Sequence, residues 1–261
     1  MTAASHDVST PPHPGRRPGP AGEAANDDAL IEKLRARAWD PGQRFDEAYV
    51  PTAWIAENYG AHWLDQSRDG RRGSCSDGTI AFESSIEVVA AYYADAPRGP
   101  LFAPVTMAQV EDVERRLGLR LPELLRRVYT EVADGGFGPD CGLVSLRDGN
   151  RPPGYLRDWP SAARARERNR SEGVPESWFE LTAGGCSMYW HVSLLAVDNP
   201  VLLYDCDRWV PEWGEDPHDG LSYAAESLRK WLWTWAEGGD VWGEVLDRRS
   251  EVDDKSSGQN Q

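Results

Sequence analysis

The chain has 261 residues and a formal net charge of −15 at pH 7, from 43 acidic residues against 28 Lys and Arg. The acidic balance disfavours nucleic acid as a partner, because there is no basic field to attract phosphate. No apolar run approaches the roughly 18 residues of a membrane-spanning helix, so no membrane role is predicted. Twelve Trp can supply much of the buried area of a sizeable core.

Cysteine spacing and short motifs point to no cofactor chemistry. The four Cys are widely spaced and form no C-x-x-C pair, so neither a zinc site nor a redox pair is predicted. The sequence contains no nucleophile elbow, phosphate-binding Gly-rich loop or dinucleotide fingerprint, and so predicts no catalytic residue, no metal and no cofactor. The first residues lack the apolar core of a secretion signal. We therefore expect a cytoplasmic protein.

The N-terminal part divides into a polar tail and an extension. Residues 1–27 are rich in Pro, Gly, Ala and Ser, which predicts a disordered tail. A helix is predicted from Asp28, stopping before Asp40, because apolar residues recur at helical spacing. Residues 28–100 are interpreted as a mostly helical N-terminal extension, with an exposed Gly-rich loop over residues 67–78.

A helix hairpin is predicted in the middle of the chain. Thr106 and Gln109 have the spacing of a capping box, and Gly118 suits the end of the first helix. The second helix is predicted to start with Pro122 at its first position and to end at Asp134, before two glycines. The apolar stripes are Val110, Val113 and Leu117, then Leu121, Leu125, Val128 and Val132. The outer polar face of the first helix is predicted to hold Glu111, Asp112, Glu114, Arg115 and Arg116.

Strands and a final helix are predicted after the hairpin. The predicted strands cover residues 141–146, 179–181, 187–197 and 201–205. The final helix is predicted from Leu221 to Trp235, with Ser222 as its cap and an apolar face toward the core. The polar residues 247–261 are predicted to form a second disordered tail.

Four short motifs follow one another in a characteristic order. They are G-L-R-L-P at residues 118–122, A-D-G-G at 133–136, Y-D at 204–205 and E-S-L-R-K-W-L at 226–232. In order and spacing the chain resembles the SUKH superfamily, the Smi/Knr-type domain, over about residues 100–240. Members commonly carry Asn before the two glycines, where this chain has Asp134.

The resemblance implies both a fold and a class of function. The implied fold is α+β, with an antiparallel or mixed sheet packed with the helix hairpin and a C-terminal helix, and the SUKH-like domain spans residues 101–246. The implied function is non-enzymatic protein binding, since bacterial members are often immunity proteins that neutralise a toxin, frequently a nuclease. Nuclease toxins tend to be basic, and a chain with a charge of −15 would attract such a partner.

The segment 205–219 has the most unusual composition of the chain, six carboxylates around two Trp. It does not match a calcium-binding EF-hand loop, because Val210 occupies the position that requires Gly. Trp side chains surrounded by charges are typical of interface hot spots. The candidate partner-binding residues are therefore Asp205, Asp207, Trp209, Glu212, Trp213, Glu215 and Asp216. Alternatively, the two Trp pack on the sheet while the carboxylates face solvent.

The sequence also leaves two further alternatives open. A hydrolase or ligand-binding domain would use Asp205 and Asp207 with His191 or His218 near a pocket. His191 has no second ligand-type residue at metal-binding spacing, so it is expected to be a core histidine. The six Arg between residues 151 and 170 form either a phosphate-binding patch or a set of ion pairs with acidic residues.

Overall fold

The computed structural model describes residues 20–62, 71–74, 78–83, 87–153, 155, 157–185, 187–208, 220–243 and 245. Its helices are α1 (Pro20–Ala38), α2 (Thr52–Tyr59), α3 (Glu87–Tyr93), α4 (Met107–Leu117), α5 (Glu123–Arg127, continued by a π-helical turn, Val128–Val132), α6 (Ala162–Ser171) and α7 (Leu228–Ala236). Its strands are β1 (Glu47–Pro51), β2 (Arg71–Ser74), β3 (Thr79–Glu83), β4 (Trp178–Ala183), β5 (Met188–Ser193), β6 (Val201–Asp205) and β7 (Leu221–Ala225). They form two antiparallel sheets, ordered β1-β3-β2 and β4-β5-β6-β7, which confirms the α+β class.

The helix hairpin, α4 and α5, has the predicted caps. The backbone N–H of Gln109 donates to Thr106 Oγ1 at 3.3 Å, and the Thr106 N–H donates back to the Gln109 side chain at 2.8 Å. Gly118 ends α4 with a φ of 69°, a left-handed conformation that favours glycine. Pro122 is the N-cap of α5, so the helix begins at Glu123, one residue later than predicted. The local cap signals therefore predict the hairpin to within about one residue.

Glu114 does not lie on the outer face where the sequence placed it. Its residue surface is only 7% exposed. The chain reverses after α4, and the Glu114 carboxylate accepts hydrogen bonds from the Leu121 N–H at 2.7 Å and from Arg126 Nε at 2.8 Å. Helical periodicity alone misplaced it, because the returning chain covers this position of α4.

The main core lies between the four-stranded sheet and the helices α1, α4, α5 and α7. Its largest fully buried side chains include Trp190, Trp231 and Trp235. Helix α1 contributes to this same core through its buried apolar residues, which are Leu30, Ile31, Leu34 and Ala38. Helix α1 therefore shares its core with residues that follow the predicted boundary at residue 100.

Helix α1 also begins earlier than the sequence indicated. It starts at Pro20, eight residues before Asp28, and so extends into the segment interpreted as a disordered tail. Asp27, at the edge of that segment, accepts a hydrogen bond from Arg229 Nε at 2.6 Å, which fixes α1 against the start of α7. Composition alone could not reveal this partner, which is distant in the sequence.

The N-terminal extension contains a small sheet that the sequence did not predict. Strand β3 lies between β1 and β2, and this sheet packs with α2 and α3 around a separate apolar cluster. The cluster consists of Ala48, Val50, Ile55, Ile80, Phe82, Val88 and Val89. Strand β2 falls inside the predicted loop 67–78. Its four residues, two of them Arg and one Gly, carry no strand pattern, so pairing with β3 decides their conformation.

The second half of the chain confirms some predicted elements and corrects others. Strand β6 has the predicted bounds, whereas residues 141–146 form no strand and contain only an isolated bridge between Ser145 and Ser161. The predicted start of the final helix is instead β7, which pairs with β6. Ser227, not Ser222, caps α7, because its Oγ accepts a hydrogen bond from the Lys230 N–H at 3.1 Å. Pairing with β6 overrides the helical spacing of the apolar residues.

Candidate partner-binding surfaces

The structure divides the predicted partner-binding residues into two groups. Asp205 and Asp207 are described, whereas Trp209, Glu212, Trp213, Glu215 and Asp216 lie outside the described residues. Asp205 ends β6 and is buried; its Oδ1 accepts hydrogen bonds from Ser187 Oγ at 2.9 Å and from the Asp207 N–H at 3.2 Å. Asp205 therefore anchors a turn, while Asp207 is exposed and available for contact.

His191 and Asp205 do not converge on one site. His191 is paired with Leu202 in the sheet, and side chains alternate between faces along a strand. This places His191 on the face of Leu202 and Tyr204, opposite Asp205. His218 lies outside the described residues. The described geometry therefore does not assemble the acid and histidine that the hydrolase interpretation requires.

His191 is the core histidine that the sequence predicted. It is fully buried, and its Nε2 lies 3.3 Å from Asn169 Nδ2 and 4.0 Å from Glu180 Oε2. Burial, with a smaller contribution from the nearby Arg168, lowers the pKa of His191 to about 3. A neutral imidazole with so low a pKa is a poor general base near pH 7. Among the described residues, no group of three or more His, Cys, Asp or Glu side chains could hold a metal ion.

Five of the six arginines between residues 151 and 170 form ion pairs with acidic neighbours. Arg151 and Arg164 both pair with Asp158, while three arginines of α6 pair with Glu176 or Glu180. These three are Arg166, Arg168 and Arg170. The pairing favours the ion-pair interpretation over a phosphate-binding patch.

A pocket of about 470 Å³ lies at the end of the large sheet opposite Asp205, where β5 turns into β6. We call it the acidic pocket, because its lining includes the carboxylates of Asp27, Glu123, Asp198 and Glu226. Arg229, its one basic lining residue, donates two hydrogen bonds to Asp27 at 2.6 and 3.1 Å. The pocket therefore presents net negative charge.

Two apolar side chains are exposed beside the acidic pocket. Val197 lines it and is 87% exposed, and Leu195, two residues earlier, is 83% exposed. The sequence placed both in a strand extending to residue 197, but β5 ends at Ser193. They therefore belong to a turn at the surface, and periodicity could not reveal their exposure.

A second pocket, of about 610 Å³, lies between the N-terminal extension and the main core. We call it the junction pocket. Arg44 and five aromatic side chains line it, together with several prolines. The aromatic residues are Phe45, Tyr49, Tyr92, Tyr93 and Tyr155. Sequence reasoning missed this site, because its walls come from segments more than 100 residues apart.

Comparison with known proteins adds no relative. No protein-family model matches the chain, and no match appears among curated proteins. Within the described residues, no helix is long and apolar enough to cross a membrane. The acidic pocket, the junction pocket and the order of motifs in the sequence are therefore the features that bear on function.

Proposed function

We propose that this chain is a non-enzymatic, SUKH-type protein-binding domain that acts as an immunity protein and neutralises a basic toxin. The observation that carries the proposal is the exposure of Leu195 and Val197 beside the acidic pocket. Exposed apolar side chains next to charged groups are typical of protein interfaces. Burial of each side chain by a partner would contribute about 2 kcal/mol.

Charge determines which kind of partner suits this surface. The pocket lining holds four carboxylates against one arginine, Arg229, which pairs with Asp27. A Lys or Arg of the partner would gain hydrogen-bond acceptors there, and the net charge of −15 would speed the encounter with a basic protein. Nuclease toxins tend to be basic, which supports a nuclease as the partner. We also propose that this binding occurs in the cytoplasm, where Cys141 and Cys206 would remain reduced.

Asp205 and Asp207, the two described residues of the sequence-predicted surface, lie at the end of the large sheet opposite the acidic pocket. Strand β6, five residues long, separates Asp207 from Val197, a span of about 14 Å. Either end can be the contact site of the same proposed function, so the experiment must distinguish them. The predicted surface is the set Asp205, Asp207, Trp209, Glu212, Trp213, Glu215 and Asp216.

The decisive experiment is co-expression with the product of the neighbouring open reading frame, followed by a growth assay and a pull-down. We expect rescue of growth and a stable complex. Failure of every neighbouring product to bind or to be neutralised would contradict the proposed function.

Three variants then locate the contact site. The first combines Leu195→Ser, Val197→Ser and Glu226→Lys, and the second combines Asp207→Lys, Glu212→Lys and Glu215→Lys. Glu111→Lys, on the exposed side of α4, is the control for a change of charge alone. We expect the first variant to weaken the complex by about 100-fold or more without lowering the melting temperature. If only the second variant weakens it, the contact lies on segment 205–219 instead.

A further inference from the structure

The junction pocket has the size and the walls of a small-molecule site. Its volume of about 610 Å³ falls within the range of roughly 300–1,000 Å³ found for ligand pockets. Its walls come from Tyr49 of β1, Tyr92 and Tyr93 of α3, and residues 97–101, together with Pro152, Pro153 and Tyr155. It shares no lining residue with the acidic pocket, so its role is separate from the proposed protein binding.

The aromatic walls are held in place by contacts among themselves and with the backbone. Tyr92 and Tyr93 pack edge to face with ring centroids 4.7 Å apart, and the Tyr93 hydroxyl donates to the Tyr49 carbonyl oxygen at 3.1 Å. Phe45 stacks on Trp159 at 5.5 Å, beneath the pocket. Five lining prolines, Pro41, Pro97, Pro100, Pro152 and Pro153, further limit the freedom of the backbone. A pocket with such walls is largely preformed and favours a flat, apolar ligand.

Arg44 places a positive charge in this apolar surrounding. The residue is only 6% exposed, and its Nη2 donates to the Gly99 carbonyl oxygen at 3.1 Å. Its Nε is buried and has no hydrogen-bond partner among the residues that the structure describes. Burial also lowers the pKa of the Arg44 guanidinium, although an arginine remains charged at neutral pH.

Asp40 favours the charged form of Arg44 electrostatically, but its carboxylate is engaged by other groups. Asp40 accepts a hydrogen bond from the Gly42 N–H at 3.1 Å and pairs with Arg98 at 3.6 Å. Arg44 itself forms no ion pair within the described part of the chain. The Nε of this buried guanidinium lacks a hydrogen bond, so its charge is only partly satisfied and an anion that reached Arg44 would be favoured.

We propose that the junction pocket binds a small organic monoanion, in which a flat aromatic or apolar body carries one carboxylate or sulfonate group. The anionic group pairs with the Arg44 guanidinium, and the apolar body lies against Tyr92 and Tyr155. Arg98 also lines the pocket, but it is exposed and pairs with Asp40 at 3.6 Å, so the buried Arg44 supplies one positive charge for one negative charge of the ligand. Asp95 also lines the pocket, and its carboxylate would repel a second negative charge on the ligand.

The test compares two fluorescent probes of nearly the same shape. 1-Anilinonaphthalene-8-sulfonate is a monoanion, and N-phenyl-1-naphthylamine lacks the sulfonate. Each is titrated into the full chain, the Arg44→Met variant and the Arg115→Met variant, since Arg115 is exposed on α4 and outside the pocket. We expect Arg44→Met to weaken binding of the anionic probe by about tenfold or more and to change binding of the neutral probe by less than about threefold. Arg115→Met is expected to change neither.

Unchanged affinity of Arg44→Met for the anionic probe would overturn the proposal. An equal loss of both probes in a folded Arg44→Met protein would overturn the role of Arg44 as the anion contact. If Arg44→Met does not fold, Ala96→Trp provides a second test, because Ala96 lines the pocket and a larger side chain there fills it. We expect Ala96→Trp to abolish binding of both probes, and undiminished binding would exclude the junction pocket as the site.

Discussion

The carboxylate of Glu114 accepts a hydrogen bond from Arg126 Nε at 2.8 Å, across the joint of the helix hairpin. Both residues are buried, and the same carboxylate oxygen also accepts from the Leu121 N–H at 2.7 Å. One side chain of α4 therefore satisfies the backbone of the returning chain and neutralises an arginine of α5. The hairpin is held by a polar joint as well as by its apolar stripes.

Removing one member of this pair should destabilise the protein more than removing both. We expect Glu114→Ala to lower the free energy of unfolding by about 3 kcal/mol, because Arg126 would stay buried without its partner. The double variant Glu114→Leu with Arg126→Met should lose less than Glu114→Ala alone. Urea unfolding measures both. Asp112→Ala, which breaks an exposed pair with Arg115, is the control and should cost less than about 1 kcal/mol. A Glu114→Ala cost as small as that of the control would contradict a structural role for the pair.

Asp134, which precedes the two glycines, should contribute strongly to the stability of the protein. It is fully buried and accepts hydrogen bonds from Ser145 Oγ at 2.9 Å, the Leu146 N–H at 2.7 Å, Arg147 Nε at 2.8 Å and Asn150 Nδ2 at 2.9 Å. Asp134→Ala should therefore lower the free energy of unfolding by about 3–5 kcal/mol, measured by urea unfolding.

Asp134→Asn provides the matched comparison for this site. Asn is the residue that SUKH members commonly carry before the two glycines, and its carbonyl oxygen can still accept hydrogen bonds. We expect a cost of about 1–2 kcal/mol, because the Arg147 guanidinium loses its charged partner. Equal costs for the Ala and Asn variants would show that the hydrogen bonds of Asp134 contribute little beyond its charge.

His191 should make stability depend on pH below about 6.5. Its pKa in the folded protein, about 3, is lower than the unfolded value of 6.5, so the unfolded chain binds a proton that the folded chain does not. Stability from this group is fully present above pH 6.5 and is lost as the pH falls toward 3. We expect the stability difference between the natural protein and His191→Gln to fall by about 1 kcal/mol per pH unit between pH 6 and 4.

Chemical unfolding at several pH values measures this difference, and His62→Gln, at an exposed position, is the control. The neighbouring Glu180 also titrates, since burial raises its pKa against the opposing effect of Arg168. Its contribution runs the other way, because stability is lost as the pH rises past its unfolded pKa. Glu180 and Arg168 are present in both proteins, so the comparison isolates His191. A difference that does not vary with pH would contradict the lowered pKa of His191.

Ser227 should contribute to the stability of α7 as its cap. Ser227→Ala removes the hydrogen bond from the Lys230 N–H and should cost about 1 kcal/mol. Ser227→Asn retains a side-chain acceptor and should cost only a few tenths of that amount. Thermal unfolding of the two variants compares them directly. Equal melting temperatures would show that the start of α7 does not depend on a side-chain cap.

The candidate sites show where prediction from sequence stopped. Composition made both Asp205 and Asp207 candidates for partner binding. Only Asp205 is buried and accepts a hydrogen bond from Ser187, so it holds a turn while Asp207 remains exposed. Leu195 and Val197 continue an apolar run, yet β5 ends before them and leaves them at the surface. Exposure depends on where a strand ends, and pairing with its neighbours decides that end.

The sequence by itself determined the local features of this protein. The Thr106 capping box and the left-handed Gly118 follow from interactions among residues only a few positions apart, and the apolar run 201–205 marks strand β6. Tertiary structure decided which helical position became buried at Glu114, which apolar repeat became β7, and which arginine faces the junction pocket. These outcomes depend on partners far along the chain, as when Arg44 meets Gly99 or α1 meets α7. Such contacts form only when the whole chain packs, so no local pattern records them.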